Sequence, residues 1–182
     1  MMDQPAPARG ASFDQLAIGL LFVAVAVLAL LTPAQGDTFW HLRAGADIWR
    51  TGRIPRVDLY SHTAYGAPWP DHEWLSQLLM YGAYAAGGMP GLEVGAALLV
   101  LGAGAVVYRL MVGPRTTRFA LLIVGLSIAA SAWSLRPQLL TLFLLPVLVW
   151  LLARERWLVI PPFFLLWANA HGGVALGGVV LG

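Results

Sequence analysis

The stretch "LAIGLLFVAVAVLALLT", Leu16 to Thr32, carries no charged side chain. A bilayer span needs about 20 apolar residues, with a range of about 17–25, so this run is long enough to cross. Four residues later the chain reads "GDTFWHLRAGADIW", Gly36 to Trp49. An aspartate and a histidine one helical turn apart follow directly on a hydrophobic anchor. After "RIPRV" the same spacing returns in "DLYSH", Asp58 to His62. The fold class depends on reading the first run as a retained membrane span and the second as the start of an exposed loop.

Composition agrees with that reading. The 182-residue chain is 59% hydrophobic and only 11% charged, against about 25% charged in an ordinary soluble domain. A net charge of +2 is too small to point to nucleic acid. There is no cysteine, so disulfides, thiolate zinc sites and iron–sulfur clusters are excluded. The N-terminus "MMDQPAPARGASFDQ" offers no clear small-residue cleavage site, which favours an anchor over a removed signal peptide.

Further apolar runs cover Leu92–Met111, Phe119–Leu135, Leu139–Ala153 and Trp157–Ala170. Another begins at Val174 and reaches Gly182 without a polar flank, as in the front part of a longer protein. Pro146, Pro161 and Pro162 fall within the shorter runs and are expected to kink or break them. Trp74–Gly88 is too short to cross comfortably. Taken as a helix lying flat, with Trp74, Tyr81 and Tyr84 at headgroup depth, it leaves Arg9, Arg109, Arg115, Arg118, Arg154 and Arg156 on one side, as the positive-inside rule asks. The expected architecture is all-α. It comprises a cytoplasmic tail over 1–15 and a polytopic helical bundle over 16–182, with a large first outer loop, 33–90, containing membrane-parallel helices.

In that topology nearly every chemically capable side chain faces one compartment. Asp37 is expected to cap a helix from about Thr38 to Thr51, stopped by Gly52. Phe39, Leu42, Ala46 and Trp49 form its apolar stripe, and Asp71 is expected to cap the next helix. Asp37, His41, Asp58, His62, Asp71, His72 and Glu73 form a set of carboxylates and imidazoles suited to Mg, Mn or Zn, although no recognised metal spacing is present. Taken singly, a helix cap for Asp37 and backbone-bonded interface histidines are the plain alternatives. Trp40, Trp49, Trp69 and Trp74 fit an aromatic belt. Arg136, in "LRPQ", stands at the outer end of a span, where its guanidinium can grip a phosphate in bidentate fashion or simply snorkel. His171, in "NAHGG", lies at the same level.

This layout resembles the GT-C superfamily of membrane glycosyltransferases, which includes protein O-mannosyltransferases and oligosaccharyltransferase catalytic subunits. The resemblance rests on "GDTFWHLRAGADIWRTGRIPRVD", on the "HEWLSQLLMYGAYAAGG" segment leading into the next span, and on "WSLRPQ", and covers about Leu16–Leu152. The Asp-Glu pair of the O-mannosyltransferases stands here as Asp37-Thr38. The resemblance implies transfer of a sugar from a polyprenyl-phosphate donor to an acceptor, on the extracytoplasmic side of a bacterial inner membrane. Asp37 would serve as base or as ligand to a divalent cation (Mg or Mn). His41, Asp58, His62, His72 and Glu73 would shape the acceptor side, and Arg136 and His171 would hold the donor phosphate. A transporter or channel subunit and a non-catalytic assembly protein of the same fold are the rivals.

Overall fold

The computed structural model describes residues 13–182, so most of the expected tail, Arg9 included, lies outside the described residues. These residues form an all-α fold; their only β feature is an isolated antiparallel bridge, Val57 to Pro68. The helices are α1 (Phe13–Leu30), α2 (Gly36–Thr51), α3 (Trp74–Leu110), α4 (Arg115–Ala130), α5 (Gln138–Ala153), α6 (Ile160–Ala168) and α7 (Val174–Leu181), with a 3₁₀ turn at Trp157–Val159 before α6. One helix, α3, is long and apolar enough to cross a membrane; α1 and α5 are apolar but shorter.

Helix α2 starts differently from the sequence expectation. Its N-cap is Gln35, closed by a reciprocal capping box with Thr38. Asp37 sits in the first turn with its carboxylate free of capping duty. Gly52 ends the helix in the left-handed region at φ 64°, as expected. The buried face is Thr38, His41, Leu42, Gly45 and Ile48, whereas Phe39 and Trp49 are exposed. Of the expected apolar stripe Leu42 packs inward while Phe39 and Trp49 stay exposed, and the polar Thr38 and His41 share the inward face. Gly45 makes the closest approach possible. A Cβ there would stand 2.1 Å from the Gln77 carbonyl oxygen.

Helix α3 bends at Gly87 and Gly88, where the backbone leaves helical geometry; Gly88 adopts φ 63°, ψ −152°, a region essentially reserved for glycine. The bend is sharp. In a straight helix Ala83 and Gly91 would be about 12 Å apart at 1.5 Å per residue, yet a Cβ on Gly91 would meet the Ala83 carbonyl oxygen at 2.4 Å. Residues 74–86 and 89–110 thus fold against each other. The second arm, ~33 Å long at 1.5 Å per residue, packs through Leu92, Ala96, Ala97 and Val100 on Val25 and Ala29 of α1 and on Leu139 of α5. A second cluster gathers Leu144, Leu148, Leu151, Ile160 and Trp167 from α5 and α6.

Two expectations need correction here. Pro161 and Pro162 occupy the first turn of α6, where proline's missing N–H has no helical acceptor to lose; they start the helix instead of breaking it. The run expected to be helical through Leu135 stops at Ala130, and Ser131–Pro137 is a turn.

Candidate functional site

Four chain segments meet at one end of the helices. Thr38 of α2 donates its hydroxyl to the Leu135 carbonyl at 2.9 Å. The Leu75 N–H reaches the Asn169 carbonyl at 3.1 Å, and the Trp74 indole N–H the Asn169 side-chain oxygen at 2.8 Å. The Ser76 hydroxyl donates to the Ala170 carbonyl. Trp74, expected at the interface, is anchored internally by its bond to Asn169. These bonds bring the α2 start, the "DHEW" entry to α3, the "LRPQ" turn and the "NAHGG" turn together.

Asp37 and Arg136 meet in this junction. The Arg136 Nη2 stands 2.6 Å from Asp37 Oδ2, both side chains being partly exposed. Arg136 Nη1 lies 3.5 Å from Gln35 Oε1, a long contact, and its Nε is buried with no hydrogen-bond partner among the described residues. An apolar cavity of about 200 Å³ lies between the two arms of α3 and the start of α5; Leu79, Met80, Ala83, Leu92 and Leu139 line it with Arg136.

The imidazoles gather on Glu73. His171 Nε2 is 3.5 Å from Glu73 Oε1, His72 Nε2 3.8 Å from the same oxygen, and His41 Nε2 4.0 Å from Oε2. Burial pushes the Glu73 carboxyl above its ordinary range, and the neighbouring Asp71 adds to this, while His72 and Arg136 oppose it. Burial holds His41 down to about 4, against an opposing pull from Asp37. His171 is lowered by burial and by His72 and Arg136. His41 is therefore neutral around pH 7, and His171 is shifted in the same direction. The mutual influence of Asp37, Arg136, Glu73, His41 and His171 marks one electrostatic unit.

Asp71 supports Glu73 from behind. Its Oδ1 accepts the Glu73 N–H at 3.2 Å and the Gln77 amide at 3.0 Å, and burial raises its carboxyl. It thus braces the entry to α3 but does not cap it as expected: the N-cap is Glu73, with no side-chain capping bond.

The other expected residues stand apart on the 56–69 turn. Asp58 accepts the N–H groups of Tyr60 and Ser61 at 2.8 and 2.9 Å and the Ser61 hydroxyl. Those bonds, led by the Ser61 hydroxyl, hold its carboxyl below the ordinary range. His62 is exposed on the same turn. Two contributors were not anticipated: Thr141, whose hydroxyl lies 2.9 Å from His171 Nδ1, and Trp167, whose indole N–H donates to Thr141 at 3.0 Å. A signal existed for Thr141, the one hydroxyl in the apolar run "LLTLFLLPVLVWLLA".

The expected cation at Asp37 can be weighed against these side chains. Its carboxylate is already matched by a guanidinium, which an ion would have to displace. Among the described residues no group of three or more His, Asp and Glu side chains is arranged to hold a metal ion. No step below runs through a cation. Comparison with protein-family models, with curated proteins and with solved structures gives no match to this chain.

Proposed function

We propose that this protein is a multi-pass membrane glycosyltransferase that moves a sugar from a polyprenyl-phosphate donor to an acceptor at the extracytoplasmic surface. The observation that carries the reading is Arg136: a cation with a donor to spare, paired with Asp37, that lines an apolar cavity. That combination suits a ligand with an anionic head and a hydrocarbon tail. The cavity is too small for a whole polyprenyl chain, so only the first units would enter it. The remainder would lie along the exposed apolar flanks, such as Leu121, Val124 and Ile128 of α4 and Leu20, Val23 and Val27 of α1. Those flanks also support a membrane setting for helices that are individually short.

In this reading Asp37 fixes the guanidinium, and Arg136 faces the charge that develops on the departing phosphate. Glu73 and the histidines line the aqueous side, where the acceptor enters. The test uses the full-length protein in nanodiscs with radiolabelled lipid-linked sugar. Asp37→Asn and Arg136→Ala should each weaken donor binding at least tenfold and depress turnover. Wild-type binding and turnover in both variants would sink the proposal. Sugar or lipid flux across liposomes without chemical transfer would instead favour the transporter reading, and tight donor binding with no transfer the assembly-protein reading.

A further inference from the structure

Two carboxylates stand in the junction, and their surroundings divide their labour. Asp37 is committed: its Oδ2 is paired with the Arg136 guanidinium at 2.6 Å. Glu73 has no such partner. Its close neighbours are imidazoles, one of which is held in a defined orientation.

That imidazole is His171. The Gly173 N–H donates to its Nδ1 at 2.9 Å, so Nδ1 carries a lone pair and the proton of the neutral ring is on Nε2. The Thr141 hydroxyl lies 2.9 Å from the same Nδ1 while its oxygen accepts from Trp167. The donations run in one direction: Trp167 indole N–H to Thr141, Thr141 O–H to His171 Nδ1, and His171 Nε2–H towards Glu73 Oε1. Such a chain polarises in sequence. It also rules His171 Nε2 out as a metal ligand in this tautomer, because that nitrogen's lone pair is taken by its proton. The last gap, 3.5 Å, is longer than a formed hydrogen bond, and catalytic contacts commonly tighten only when the substrate is bound.

We propose that Glu73, oriented by the Trp167–Thr141–His171 chain, takes the proton from the acceptor hydroxyl, and that Asp37 belongs to the phosphate side of the site. The assignment rests on the glycosyltransferase reading above. In the step, the acceptor O–H bond breaks and its proton passes to a Glu73 oxygen. The acceptor oxygen forms a bond to the anomeric carbon. The bond between that carbon and the phosphate oxygen breaks, and its electron pair leaves on the polyprenyl phosphate, opposite Arg136. Glu73 then releases its proton to the outer aqueous phase. His171 is a positioning residue in this scheme. The groups facing Glu73 are Asp37 and His41 from α2, Asp71 and His72 from its own segment, Arg136 from the turn before α5, and His171 from the turn before α7. Its burial beside Asp71 places the acid limb of turnover above the ordinary glutamate range.

The experiment measures donor binding and single-turnover transfer, with water or an added alcohol as acceptor, on the full-length protein in nanodiscs across pH 4–8. Glu73→Gln should bind the labelled lipid-linked donor within about threefold of wild type yet lose at least about 10²-fold in rate, the lower range for a general base, and its residual rate should lack the acid limb. Glu73→Asp should keep that limb at a reduced rate, which guards against a Gln variant that fails to fold. Asp37→Asn should show the opposite split, with binding weakened and the acid limb retained. Unimpaired turnover in Glu73→Gln, or an acid limb that survives in it, overturns the assignment while leaving the donor site intact. A wild-type protein that binds no lipid-linked donor overturns the proposed function, and this assignment with it.

Discussion

At the scale of single residues, His41 gives the most direct measurable consequence. It is about 2% exposed, its Nδ1 lacks a partner among the described residues, and burial holds it at about 4 in place of 6.5. The folded protein keeps it neutral where the unfolded chain would protonate it. Stability from this group is therefore complete above pH 6.5 and is lost as pH falls towards 4, by about 3 kcal/mol in total. His171, also lowered by burial, acts in the same direction. Asp71 and Glu73, pushed up by burial, act the opposite way: they take up protons in the fold above the ordinary carboxylate range and offset part of that loss. The melting temperature of the detergent-solubilised protein should fall between pH 7 and 5, and His41→Gln should flatten that slope whatever it does to stability at pH 7. Parallel slopes would assign the acid sensitivity elsewhere. Much of this site was legible one residue at a time. Arg136 stood out as a lone cation ending an apolar run, and His171 stood out beside two glycines. What was not legible was pairing. Asp37 and Arg136 are 99 positions apart, and the capping duty expected of Asp37 falls to Gln35 and Thr38, whose hydroxyl also reaches the Leu135 carbonyl.

At the scale of elements, two glycines fix how the junction is assembled. Gly45 lets α2 lie on the first arm of α3; Ala there would put its methyl 2.1 Å from the Gln77 oxygen and 2.8 Å from Tyr81 Cβ. Backbone cannot yield as a side chain tip does, so the helices must part. The loss should reach or exceed the roughly 1–3 kcal/mol typical of overpacking. Gln77 would move with the helix and with it the Asp71 brace of Glu73, so donor turnover should fall as well. Gly82→Ala, on the same arm with nothing within 4 Å of the new methyl, should be neutral or stabilising by up to about 1 kcal/mol. Thermal unfolding of the two variants decides the matter, and equal stability would show that the α2–α3 contact is softer than drawn. Gly88→Ala strains a glycine-only conformation, at a cost of about 1–3 kcal/mol, and should perturb the cavity that the bend creates. The break between a short and a long apolar segment was readable from "AAGGMPG". The fold-back was not, since it depends on Gly91 admitting the Ala83 carbonyl, a contact no local pattern announces.

At the scale of the whole molecule, the helices separate two kinds of turn. Helices α4 and α5 are each about 24 Å long at 1.5 Å per residue. They carry the chain between the junction of Asp37, Glu73, Arg136 and His171 and the turns holding Arg115, Arg154 and Arg156. With Asp37, Glu73 and the imidazoles at one end of these helices and the turns of Arg115, Arg154 and Arg156 at the other, sidedness is testable without any knowledge of substrate. The chain has no native cysteine, so single-cysteine variants report cleanly. His62→Cys and Gly172→Cys should react with a membrane-impermeant maleimide on intact cells, or on right-side-out vesicles. Thr116→Cys and Arg156→Cys should react only after the membrane is opened. The structure ties the 169–173 turn to the start of α3 through the Asn169 bonds to Leu75 and Trp74, and the 56–69 turn leads into that start, so residues 62 and 172 are expected on the same side. Labelling that put them across the lipid from one another would dismantle the junction itself, and both the donor site at Arg136 and the proton-accepting role of Glu73 would go with it.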